Sequence, residues 1–287
     1  MLMEEKIDRT ELMQMTGESV REEHYTVEEE IRSILEVNLP RMKGDGRDTV
    51  MYQGDALKSM PGKLREMLEN CGLNISADEV IGFIDQKGYS AAVAFTSQGI
   101  LFRKDPGRTE WESSIGETVF LRYDEIREVT HSVRGLMKQE YIRFAGDFST
   151  CNYSVCELWI GCCGRTDLDW IRMKYCLDEI GFLVRESAGL HTLEEFKEAR
   201  LKRALRDDLE EEDTPLDVSD LKVLRWSSEE IVLGFPESEQ ENVGNHEHHI
   251  KYALYLLGAG SIELGGFLGM LQKKKADSVK IRYRYDS

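Results

Sequence analysis

Three groups of side chains in this sequence have the types and spacing from which chemistry could be built. Four residues separate Cys151 from Cys156, and Cys162-Cys163 follow closely. A zinc ribbon needs paired thiolates on tight turns, with about two to four residues between the cysteines of each pair. The first pair reaches that limit. Residues 155–160, however, alternate like a strand, and Cys162-Cys163 cannot make a second knuckle, so the sulfurs read as small buried thiols. The second group is Asn245-His246-Glu247-His248-His249. On a helix His246 and His249 share a face, where two imidazoles can hold one metal. A zinc-protease helix needs the second histidine one place further on, and that place is Ile250. A polar helix start is the simpler account. The third group is glycine. Gly258-Ala259-Gly260 and Gly265-Gly266 do not follow a strand and lack the lysine of a phosphate loop. No Gly-x-Ser-x-Gly elbow occurs, nor any cysteine with a histidine near it. The sequence therefore predicts no catalytic residue, no metal ligand and no cofactor.

Binding surfaces are the remaining candidates. Trp111 sits in the polar stretch Arg108-Thr109-Glu110-Trp111-Glu112, and exposed tryptophans are enriched where proteins bind one another. Folding back onto a sheet is its other reading. Glu210, Glu211, Glu212 and Asp213 continue the run begun by Asp207-Asp208, and residues 188–250 carry 17 acidic and 7 basic side chains, a net of −10. Such a block is ordinarily a solvated helix end, and it also suits a basic partner. Residues 252–271 are apolar but for Glu263, and Lys273, Lys274 and Lys275 follow. Their length just suffices for a bilayer, but a mid-span carboxylate costs about 2.5–3.5 kcal/mol there. A buried helical hairpin broken near residues 258–261 is favoured over a membrane-touching segment. At the end, Val279-Lys280-Ile281-Arg282-Tyr283-Arg284-Tyr285 alternates basic with apolar residues. In a strand that gives one cationic face, either an edge protected from aggregation or a contact for anions through Arg282 and Arg284.

The whole-chain composition narrows the partners. The 287 residues are 41% hydrophobic and 32% charged, enough to bury a core. A net charge of −17 argues against a nucleic-acid partner, because the phosphate backbone rewards positive surfaces. The amino terminus has no basic start and no apolar run, so the expected location is the reducing cytoplasm, with the six cysteines as thiols.

The elements that would position these residues fall into three stretches. Residues 1–54 read as a helical appendage. In it, Thr26 and Glu29 form a capping box, residues 27–39 carry an apolar stripe, and Pro40 stops the helix. Residues 55–187 open with a helix over 55–70 and then change to strand periodicity at 80–84, 91–96, 100–103, 118–123, 140–144 and 155–160. A helix over 168–184 closes the stretch. Short strands between polar turns predict an antiparallel meander that curls over its own core. Residues 188–287 are an acidic α+β region, with a helix capped by Thr192 and Glu195 and short strands at 221–226 and 230–235.

Within the middle stretch, Val80-Ile81-Gly82-Phe83-Ile84-Asp85, then Phe95-Thr96-Ser97-Gln98-Gly99-Ile100, then Leu121-Arg122-Tyr123-Asp124-Glu125-Ile126 follow a pattern F-T-x-x-G-I and x-Y-x-E-I. On these motifs residues 55–187 resemble bacterial pleckstrin-homology-like domains. The resemblance implies an α+β fold: a strongly bent antiparallel sheet or barrel of about seven strands with a capping helix, flanked here by mainly helical segments. In that fold Gly99 would use a positive φ at its hairpin turn. The function expected is that of a non-enzymatic adaptor or regulator that binds another protein, of immunity or antitoxin type. The alternatives are peripheral membrane association through residues 252–285 and an enzyme whose site the sequence does not disclose.

Overall fold

The computed structural model describes residues 24–44, 49–59, 61–86, 92–103, 118–163, 165–166, 168–209, 216–227, 230–259, 270–272 and 278–284, the last two stretches as backbone. It is an α+β protein whose antiparallel sheets curl into a half-barrel. Among the described residues no helix is long and apolar enough to cross a membrane.

Helix α1 (Val27–Asn38) begins at the expected capping box, Thr26 Oγ1 accepting from the Glu29 amide and the Glu29 carboxylate accepting from the Thr26 amide. It is not an appendage. Ile31, Ile34 and Leu35, with Leu39 and Met42 beyond them, are buried in the main core. Residues 49–53, also assigned to the appendage, form strand β1 (Thr49–Gln53), paired along its length with β2 (Val80–Gln86). The helix expected over 55–70 is divided at Pro61, which cannot donate to the turn before it. A 3-10 segment, Gly54–Ser59, precedes the proline and α2 (Gly62–Asn70) follows it.

Strands β2, β3 (Ala92–Thr96), β4 (Gly99–Arg103) and β5 (Thr118–Arg122) continue a five-stranded meander from β1. After the 3-10 turn Tyr123–Glu125, a second meander is built from β6 (Ile126–Arg134), β7 (Gln139–Gly146), β8 (Val155–Cys162) and β9 (Arg165–Thr166). Among the described residues the lobe thus holds nine strands, against about seven expected. The two sheets face one another across Val93, Phe95, Phe102 and Leu121 on one side and Ile142, Phe144, Leu158 and Ile160 on the other. The Phe102 and Phe144 rings meet at 5.2 Å. Helix α3 (Trp170–Glu186) closes the opening with Met173, Leu177, Ile180 and Leu183.

Strands β3 and β4 are buried at every position because α2 covers the opposite face of their sheet, where Leu64 and Met67 pack on Phe83, Ala94, Leu101 and Phe120. That second layer explains why Ala92-Val93-Ala94-Phe95 reads as an unbroken apolar run, not an alternation. The β3–β4 turn is fixed by Thr96 Oγ1, which accepts from the Gln98 and Gly99 amides, while Tyr123 donates to the Thr96 carbonyl. Gly99 is required there, but not for the reason the sequence implied. Its φ is not positive. A side chain would instead place Cβ 2.2 Å from the Leu121 carbonyl oxygen of the neighbouring strand.

The C-terminal lobe begins with α4 (Leu193–Leu209), capped by Thr192 and Glu195 as expected. The predicted strands appear as β10 (Lys222–Trp226) and β11 (Glu230–Pro236). Helices α5 (Gln240–Asn245) and α6 (Glu247–Leu256) follow, then β12 (Met270–Gln272) and β13 (Ser278–Arg284), in sheet order β10-β11-β13-β12. Two expectations change here. The apolar stretch 252–271 is not helical at its far end, since residues 270–272 are a strand; residues 260–269 lie outside the description. Strand β13 is interior, not an edge: it pairs with β11 on one side and β12 on the other. Helix α4 joins the lobes. Phe196 lies in the half-barrel core, and Leu201, Leu205 and Leu209 in the second core with Leu233, Phe235, Ile250 and Leu254.

Candidate functional site

Trp111, Glu210, Glu211, Glu212, Asp213, Lys273, Lys274 and Lys275 lie outside the described residues. Arg282 and Arg284 are in β13, their backbones opposite Val232 and Glu230 of β11. The histidines are described. His246 is buried between α5 and α6, its ring 5.6 Å from that of His249, which is 3.8 Å from His248. His249 Nδ1 lies 2.5 Å from Asp208 Oδ2 and so ties α6 to α4. Among the described residues no group of three or more His, Cys, Asp or Glu side chains is placed to hold a metal ion.

Two features that sequence reasoning missed are better defined. The first is the far end of the half-barrel. The β6–β7 hairpin turns at Gly135, which has a φ of 71°, and carries Leu136 and Met137 at its tip. Leu136 is 102% exposed, as open as in an extended chain; Met137 is 60% and Val133 is 53% exposed. Across from them α3 starts at Trp170, whose ring stacks on His131 of β6 at 4.7 Å. His131 in turn lies 3.0 Å from Glu140. Ile171 and Tyr175, one helical turn apart on α3, are exposed as well. Five of the nine exposed large apolar side chains among the described residues therefore belong to the β6–β7 hairpin and α3, two elements that meet where Trp170 stacks on His131. Arg134, paired with Glu157, and Lys138 flank the tip, and the β8–β9 turn supports it: the Cys163 amide and thiol both donate to the Met137 carbonyl. The signal in the sequence was Gly135-Leu136-Met137-Lys138, two large apolar residues where a turn should be polar.

The second is a group of charges buried at the junction of α1, α3 and α4. Glu30 has no exposed surface. Its Oε1 accepts from Lys197 Nζ at 2.8 Å and from Arg200 Nη1, and its Oε2 accepts from the Tyr25 hydroxyl at 3.0 Å. Arg200 Nε donates to Glu179 Oε1 at 2.6 Å. Lys197 also reaches Ser33 Oγ at 3.3 Å and lies over the Trp226 ring at 5.4 Å. Burial, helped by the positive neighbour Arg200, lowers the Lys197 ammonium from 10.5 to about 8. Burial opposes the charge on Arg200 too, but Glu179 and Glu30 outweigh it and hold the guanidinium's pKa above its usual value. Glu30 is likewise held below the ordinary carboxylate range, Arg200 and Lys197 together overcoming its burial. The arrangement fixes three helices in register. Its Glu30, Lys197 and Arg200 side chains are buried, while Glu179 and Tyr25 stand at its partly exposed rim.

Set against protein-family models, curated proteins and solved structures, the chain matches none of them.

Proposed function

We propose that this chain is a non-enzymatic adaptor that holds another protein against the far end of its half-barrel. The observation that carries the reading is the exposure of Leu136 and Met137 at the hairpin tip, with Val133, Ile171 and Tyr175 exposed on the same two adjoining elements. Large apolar side chains held open on ordered elements are a standing cost in water, and that cost is relieved when a partner covers them. The resemblance of residues 55–187 to bacterial pleckstrin-homology-like domains supports a platform role. The resemblance implies one strongly bent sheet of about seven strands with a capping helix; the described lobe has nine strands in two sheets, closed by α3. Such a fold is a scaffold for many functions and argues for none by itself.

The acidic excess of residues 188–250 suits a basic partner, as in an immunity or antitoxin-type complex that masks a cationic surface. The test compares tagged full-length protein with the Leu136→Asp/Met137→Asp variant and with a variant carrying neutral residues at 210–213, each expressed in its own cells and analysed by quantitative mass spectrometry. Loss of the same protein from the first variant is the expected result. Retention of every bound protein by that variant overturns the docking end, and loss only from the second moves the contact to the acidic block. The membrane alternative keeps one supporting observation, the apolar tip flanked by Arg134 and Lys138. Co-sedimentation with anionic vesicles at low salt, abolished by Leu136→Asp/Met137→Asp, would favour it.

A further inference from the structure

A pair of thiols in the half-barrel takes no part in the docking end. Cys156 lies in β8 opposite Phe144 and has no exposed surface. Cys151 lies in the β7–β8 connection, half-buried against the same core. Their Sγ atoms are 3.8 Å apart. A disulfide bond is about 2.05 Å long, so one sulfur must approach the other by roughly 1.8 Å. Strand β8 is held in its ladder with β7, so the movement falls to Cys151. Cys151 sits in a connection whose next residues, Asn152 and Tyr153, are exposed, and its thiol points to the Tyr153 carbonyl at 3.9 Å. Ser149 is held by the Glu125 carboxylate and Thr150 by the Phe120 carbonyl before Cys151, and the Ser154 carbonyl accepts from the Gly146 amide after it.

We propose that Cys151 and Cys156 form a redox-active dithiol that closes to a disulfide when the protein meets a hydroperoxide. Cys151 is the sulfur an oxidant reaches. As the thiolate it attacks the peroxide O–O bond; the S–O bond forms, the O–O bond breaks, and the departing oxygen leaves as hydroxide and is protonated to water. Cys156 then attacks the Cys151 sulfenic acid. The S–S bond forms, the S–O bond breaks, and the Cys156 proton leaves with the hydroxyl as a second water. Two thiols lose two electrons and one hydrogen peroxide becomes two waters. The product staples the β7–β8 connection to β8. Because Ser149 and Thr150 of that connection hold the corner where the first sheet passes into the second, closure stiffens the joint between the two sheets.

The full-length protein is treated with an equimolar amount of hydrogen peroxide, denatured, alkylated and mapped by peptide mass. Cys163, exposed and far from this pair in the fold, serves as the internal comparison. The expected result is a linked Cys151–Cys156 peptide, two fewer alkylated thiols per chain, reversal by dithiothreitol, and no such peptide in Cys151→Ser, which replaces a half-exposed side chain. The proposal is overturned if Cys163 is oxidised while Cys151 and Cys156 are both still alkylated. It is equally overturned if Cys151 proceeds to sulfinic acid with Cys156 left as a thiol.

Discussion

The junction and the far end of the half-barrel break the usual rule of burial in opposite directions. At the junction four charges lie inside, two of them on Lys197 and Arg200, whose side chains are all but closed to water. At the far end Leu136 and Met137 lie outside. The buried charges are answered within the chain, because every carboxylate oxygen used has a donor and the charges cancel. The exposed apolar groups have no counterpart among the described residues. An exception to the burial rule that is compensated internally is a device of the fold, whereas one left open is a candidate for function. That distinction makes different demands of the two regions, and each can be measured.

The largest effect is expected at Glu30. Changing Glu30→Gln leaves Lys197 and Arg200 buried with one carboxylate fewer, and should cost about 3–5 kcal/mol of stability. Urea unfolding with an unchanged m-value reads it directly. A loss below 1 kcal/mol would mean that water enters the junction, and the contrast with the far end would fail.

The second effect is in pH. The folded protein holds Lys197 at about 8, below its ordinary 10.5, so between those values the unfolded chain binds more protons than the folded one. The stability contributed at this site must therefore rise with pH across that window, being lowest below pH 8 and fully relieved above 10.5. Relative to Lys197→Met, the wild-type protein should gain on the order of 3 kcal/mol over that range. Subtracting the variant removes the other groups that titrate there. A flat difference would show that Glu30 and Glu179 keep the ammonium as charged as it is in water. Smaller again is Tyr25→Phe. It deletes one hydrogen bond to a carboxylate at a half-buried phenol and should cost about 1–2 kcal/mol in the same assay.

Why one region could be read from the sequence and the other could not follows from what each pattern records. Caps are local, so Thr26 with Glu29 and Thr192 with Glu195 announced α1 and α4 correctly, and strand periodicity marked β10 and β11. The α+β class and the curled sheet followed from the short apolar runs between polar turns. Partners distant in sequence leave weaker marks. Strand β1 has one buried residue among five, too few to alternate, and it is a strand because β2 offers it a ladder. Strand β13 alternates basic with apolar residues in sequence, a pattern that does not distinguish an interior strand from an edge. The junction did leave a trace that was passed over. Glu30 stands three residues after Val27 and four before Ile34, and Arg200 stands four after Phe196, so each charge sits on the apolar stripe of its helix. A charge at a core position of an otherwise regular stripe signals a buried partner. At the far end the trace was the reverse, two large apolar residues in a turn.

The smallest effect on stability, and the one that separates the two regions most sharply, is expected for Leu136→Asp/Met137→Asp. Neither side chain contributes to any of the three apolar cores, and Leu136 touches water on all sides. Their replacement should change unfolding free energy by no more than about 0.5 kcal/mol, the range of ordinary surface substitutions. If the double variant were destabilised by several kcal/mol, the tip would have to pack against part of this same chain, and the opening would be an internal seam. If stability holds while a partner is lost, the same two residues are shown to be dispensable to the fold and necessary to the complex. No junction variant can give that pair of results, because there the charges and the fold fail together.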